Sequence, residues 1–148
     1  MNKFGFCLFL GLSSVLLRGD ATGFLEPEKL AWHYTLAVQK GAQNYSFSII
    51  KGGWLALDTW EDGEEMVENR IELTVPQFNG LKGKFTKTFA KMKTKSDLFS
   101  GSEPSYAFEE VADVVTTLEF KGVHSEISEL LGDLSAISGK RLPFSVLE

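Results

Sequence analysis

The chain has 148 residues, 43% of them hydrophobic and 24% charged, and a formal net charge of -5. This is the composition of one folded domain rather than a disordered tail. The acidic balance argues against nucleic acid or an anionic membrane surface as a general partner, because the long-range field repels both.

The first residues have the order of a secretory signal peptide. Met1-Asn2-Lys3 is a short basic start, Phe4 to Leu17 is an apolar run of fourteen residues, and Arg18-Gly19-Asp20-Ala21 is a polar exit with small residues. An ordinary membrane span needs about 20 apolar residues, so the run predicts no stable span. The expectation is export to a secreted or periplasmic location, with cleavage near Ala21; an uncleaved anchor or a buried N-terminal helix is the alternative. The Arg18-Gly19-Asp20 triplet then falls in the removed part. Cleavage leaves residues 22–148 as a single domain and removes Cys7, the one cysteine, so the mature domain is disulfide-free and has no thiolate for catalysis or metal binding. Taking Lys3, Arg18 and Asp20 from 15 basic and 20 acidic residues leaves 13 and 19, a more acidic balance still.

In chain order, Leu30, Trp32, Tyr34, Leu36 and Val38 alternate and predict a strand, with a helix opened by Pro27-Glu28 as the competing assignment. Tyr45, Phe47 and Ile49 alternate next. Gly52-Gly53 supplies the positive φ of a tight hairpin turn, and Trp54 to Trp60 forms the following strand. A second turn at Asp62-Gly63 leads into Met66 to Thr74, completing a three-stranded meander.

The period then changes. Thr74-Val75-Pro76-Gln77 fits a capping box, with Leu73 and Phe78 placed for a hydrophobic staple. Phe78, Leu81, Phe85, Phe89 and Met92 follow at spacings of three or four, giving one apolar stripe toward the sheet. Gly80 and Gly83 weaken the helix, each by about 1 kcal/mol relative to alanine. Ser96 to Ser105 is a loop, long enough to serve as a contact loop. Glu109 to Phe120, rich in β-branched residues, predicts a strand; Lys121-Gly122 a turn; and Val123 to Glu126 a short partner strand. A last helix starts near Ser125 to Ser128, lined by Ile127, Leu130, Leu131, Leu134 and Ile137. Gly139 closes it, with Lys140-Arg141 at its negative end. The prediction is an α+β fold of about five to six antiparallel strands with two helices on one face, in the order β-β-β-β-α-β-β-α.

Two groups of residues are candidates for partner contact. Six lysines lie between Lys82 and Lys95. Lys84, Lys87, Lys91 and Lys95 form a stripe about 110° round the helix from the phenylalanines, while Lys82 and Lys93 flank the apolar stripe on its other side. The stripe is either a basic contact site or the solvated border of the core, paired with the acidic stripe Glu126, Glu129 and Asp133 of the last helix. Phe85 and Phe89 occupy core positions and are not free to stack on bases. The second group is Trp54 and Trp60, offset from Leu55 and Leu57 in the alternation. If the helices cover the leucine face, Trp54, Ala56 and Trp60 form an open aromatic patch, unless a second layer buries it.

Catalytic and metal-binding motifs are sparse, so no catalytic residue, metal ligand or cofactor is assigned. His33 and His124 are far apart and are expected on polar sides of strands. Glu61-Asp62-Gly63-Glu64-Glu65 lacks the spacing of a calcium loop and reads as a solvated hairpin tip. Asn44-Tyr45-Ser46 is a glycosylation sequon in a eukaryotic source.

The order hairpin, helix, loop, hairpin, helix, with Lys51-Gly52-Gly53-Trp54 in the first turn and Asp113 to Ile127 as the later hairpin, resembles the emfourin type of small protease inhibitor. The resemblance implies protease inhibition and carries over no inhibitory residue. The upstream strand, the leader and the lysine-rich helix depart from that pattern. The expected function is therefore an exported, non-enzymatic protein that binds a protein or surface ligand. A secreted protease inhibitor is the alternative, and a small hydrolase using acidic residues the third reading.

Overall fold

The computed structural model describes residues 31–99 and 101–139. The expected leader at 1–21 with Cys7 and the Arg18-Gly19-Asp20 triplet, the competing helix expected at Pro27-Glu28, and Lys140-Arg141 all lie outside the described residues.

Among the described residues, six strands and two helices follow the expected order: β1 (Trp32–Lys40), β2 (Gln43–Ile50), β3 (Trp54–Glu61), β4 (Val67–Glu72), α1 (Val75–Thr94), β5 (Ser105–Val111), β6 (Val115–Lys121) and α2 (Ser125–Ser138). All neighbouring strands are antiparallel, and the sheet order is β4-β3-β2-β1-β5-β6. The upstream strand is thus a central one, paired with β2 on one side and β5 on the other. Its run Tyr34 to Val38 is buried at every position, as an inner strand requires.

The alternation divides the sheet into two faces. Tyr34, Leu36, Val38, Tyr45, Phe47, Ile49, Leu55, Leu57, Tyr106, Phe108 and Phe120 join Leu81, Phe85, Phe89 and Met92 of α1 and Ile127, Leu130, Leu131 and Leu134 of α2 in one core. Both helices therefore lie on the leucine face. At its centre, Phe108 meets Phe85 and Phe89 edge-on at 5.9 and 5.1 Å, and Tyr34 packs against all three rings. Such aromatic pairs add about 0.5–1.5 kcal/mol each beyond the area they bury.

The start of α1 is as its sequence specifies. Gln77 N–H donates to the Thr74 hydroxyl at 3.3 Å, and the Gln77 side chain accepts from Thr74 N–H at 3.0 Å. Gly139 closes α2 in the left-handed conformation at φ 62°.

The later hairpin is displaced from its expected position. Its strands are Ser105–Val111 and Val115–Lys121, turning through 112–114, and Lys121-Gly122 leads into α2 instead of a strand. The expected hairpin from Asp113 to Ile127 is therefore corrected. Phe108 and Tyr106 supply the alternation that β5 needs, but Glu109-Glu110 interrupts it in the sequence. Glu109 is wholly buried on the far face, and Glu110 accepts from the Tyr34 hydroxyl at 2.9 Å.

The loop after α1 is held down. Lys121 N–H donates to Leu98 O at 2.8 Å, Phe99 bridges to Lys121 in parallel, and Gly122 N–H donates to Pro104 O at 2.9 Å. A Cβ on Gly101 would come within 3.2 Å of Gly122 Cα, so glycine permits this close approach. The segment covers part of the β6 edge. The β4 edge carries Glu68, Arg70 and Glu72, charges that discourage pairing with another sheet.

Candidate interaction surface

On the face away from the helices, register places Trp32 opposite Ile50 and Ile50 opposite Trp54, one row across β1, β2 and β3. Trp32 and Ile50 are half-buried, and Trp54 is 38% exposed. The row ends at the Lys51-Gly52-Gly53 turn, where Gly52 and Gly53 take φ 95° and 96°, values a side chain disfavours. Three backbone bonds hold the turn: Lys51 N–H to Ala31 O, Gly53 N–H to Ile50 O at 3.3 Å, and Leu73 N–H to Gly53 O at 2.8 Å. Trp54 thus stands on a fixed frame. A large, partly exposed aromatic ring carried on an ordered backbone is the kind of side chain that anchors interfaces.

Trp60 and Ala56 share this face with Trp54, as the alternation requires, but both are buried, at 6% and 1% exposure. The open patch expected from Trp54, Ala56 and Trp60 is corrected to the corner formed by Trp54, Ile50 and Trp32. Alternation alone puts Trp32 on the face of Tyr34 and Leu36, or in a layer over the other tryptophans, and not in this row. Its place in the row follows from the bulge between Trp32 and Tyr34, which shifts the register by a step that simple alternation does not reveal.

The lysine stripe divides into two parts. Lys84 pairs with Asp133 at 2.8 Å and Lys95 with Glu126 at 2.9 Å, so the two helices lie antiparallel with these charges at their border. Lys95 also reaches the second Glu126 oxygen at 3.3 Å, and hydrogen bonding from Lys95 is the main cause of the lowered pKa of Glu126. Lys87 and Lys91 are exposed on the outer side of α1. The structure does not join the lysines to Trp54, which lies on the other side of the sheet.

Glu61, Asp62, Glu64 and Glu65 are all exposed around Gly63 (φ 86°), the expected solvated tip. Glu61, Glu64 and Glu65 line a cleft of about 480 Å³ together with Tyr45, Thr59 and Val67. Burial, then the charge of Glu61, raises the Tyr45 pKa. His33 packs 5.9 Å from Phe78, and burial followed by Lys82 and Lys51 lowers its pKa. His124 departs from expectation. It is buried at the start of α2, with Nε2 2.9 Å from Lys121 O and its ring edge-on to Phe120 at 5.5 Å. Among the described residues, no group of three His, Cys, Asp or Glu side chains converges as a metal site. Asn44 is 1% exposed, and its amide nitrogen donates to Ala42 O at 3.1 Å and Asp62 Oδ1 at 3.0 Å. The nitrogen a glycan would use is therefore buried and engaged. No helix among the described residues is long and apolar enough to cross a membrane.

No family model and no curated protein matches this chain.

Proposed function

We propose that the chain is an exported, non-enzymatic binding protein that receives a protein or surface ligand on the corner formed by Trp32, Ile50 and Trp54. The observation that carries this reading is the half-exposed Trp54 ring, seated beside two other large apolar side chains and fixed by a turn bonded on three sides. Burying such a ring against a partner releases water from apolar area while costing little side-chain entropy. The reading is tested by the intact mass of the native protein together with a pull-down from the surrounding medium or envelope fraction. A mass starting near Thr22 with a recovered protein partner supports it; a mass starting at Met1 with nothing recovered contradicts it.

A secreted protease inhibitor is the second reading, favoured by the same pinned turn, in which Lys51 and Gly52 are exposed. An inhibitory loop works by entering an active site without changing shape. Incubation with serine and metalloproteases decides: slow, tight inhibition removed by Lys51→Ala supports inhibition, and rapid cleavage at the turn argues against it.

A further inference from the structure

The outer face of α1 carries two features that folding does not explain. Val75–Thr94 contains no acidic residue, although the whole chain has 20. An exposed helix face ordinarily mixes signs at i,i+4, and like charges at that spacing, such as Lys87 and Lys91, are destabilising. The ion pairs to α2 engage Lys84 and Lys95 and leave this pair of lysines outside the helix border.

The second feature is glycine. A Cβ at Gly80 or Gly83 would meet nothing within 4 Å, and neither residue has positive φ. The fold thus has room for alanine at both positions, and alanine stabilises a helix relative to glycine. At 100° per residue, Gly80, Gly83, Lys87 and Lys91 share an arc of about 80°, centred opposite Phe85 and Phe89. The result is a bare strip of backbone leading to two ammonium groups.

We propose that this face of α1 docks an acidic peptide segment of a protein partner, whose carboxylates meet Lys87 and Lys91 while its backbone approaches over Gly80 and Gly83. The chemistry favours this occupant over two others. A nucleic acid carries a phosphate at every nucleotide, so the net charge of -5 opposes it over a far longer span than it opposes a short acidic segment, and with Phe85 and Phe89 buried its bases have no ring to stack on. An anionic bilayer finds no apolar anchor on this face, since the helix commits its large apolar side chains to the core. The inference rests on the binding reading above but not on the Trp54 corner.

The test uses full-length protein and a fluorescein-labelled polyglutamate peptide, with binding read by anisotropy at low salt and at about 0.15 M salt. Lys87→Gln/Lys91→Gln should weaken binding by about tenfold, the scale of two exposed ion pairs. Lys121→Glu, which changes net charge equally, should leave binding as in the wild type. Gly83→Ala should raise the melting temperature and weaken binding, a combination that a merely solvated face would not give. Absence of peptide binding, equal weakening by both charge changes, or tighter binding of oligo-dT or phosphatidylserine vesicles would each overturn the proposal. If the native partner is still captured while the peptide is not bound, this inference fails and the binding reading stands.

Discussion

Lys95, the C-cap residue just after α1, donates to both carboxylate oxygens of Glu126 in the first turn of α2, at 2.9 and 3.3 Å. The Glu126 pKa is lowered chiefly by that bond, so its folded value lies below its unfolded one. A depressed carboxylate contributes stability above the unfolded pKa and loses it as pH falls through the folded pKa. Glu126→Gln should therefore cost about 0–1 kcal/mol at neutral pH and flatten the acid limb of the stability profile. Urea unfolding of both proteins between about pH 7 and pH 3 checks this. Parallel profiles would remove the pair from the account.

Tyr106 provides the alkaline counterpart. It stacks on Phe120 at 4.8 Å and 18°, and burial pushes its pKa up to about 12. Because the folded value is the higher one, its contribution is complete below the unfolded tyrosine pKa and is lost as pH rises toward 12. Titration of phenolate absorbance should show one tyrosine that ionises only near global unfolding. Tyr106→Phe should abolish that step and reduce the fall in stability above about pH 10.

Phe85 tests the orientation of α1. It is fully buried between Tyr34 and Phe108. Phe85→Ala should cost about 3–5 kcal/mol in denaturant unfolding, whereas a loss under about 1 kcal/mol would mean that the helix presents another face to the sheet.

The capping box makes a local prediction. Thr74→Ala removes the acceptor for Gln77 N–H and should cost about 1 kcal/mol. Thr74→Ser retains the acceptor and should cost less. Equal losses in the two variants would assign the effect to the methyl group and not to the cap.

What could be seen in the sequence follows how local each determinant is. The Thr74-Gln77 cap, the Gly52-Gly53 turn and the Leu81-Phe85-Phe89-Met92 stripe each depend on a few neighbouring residues, and each stands where the pattern places it. The partner of β1 is not local. Tyr34 faces Glu110 across 76 positions of sequence, so no window around either residue contains the information. The β5–β6 hairpin was obscured for a chemical reason: Glu109 and Glu110 interrupt an alternation that Tyr106 and Phe108 otherwise carry. Lys121-Gly122, meanwhile, imitates a hairpin turn. The candidate surface was half visible. Alternation assigns Trp54 and Trp60 to one face but does not reveal how deeply each lies beneath its surroundings, which separates the exposed Trp54 from the buried Trp60.

The central claim is that the Trp54 corner is where a partner binds. The most direct measurement compares partner capture from the native medium or envelope fraction by wild type and by Trp54→Ala, after unfolding curves establish that both are folded. Because Trp54 is exposed, the variant should keep its fold and lose most of the captured partner, an effect of at least about 2 kcal/mol for an interface anchor. Equal capture by the two proteins would contradict the account.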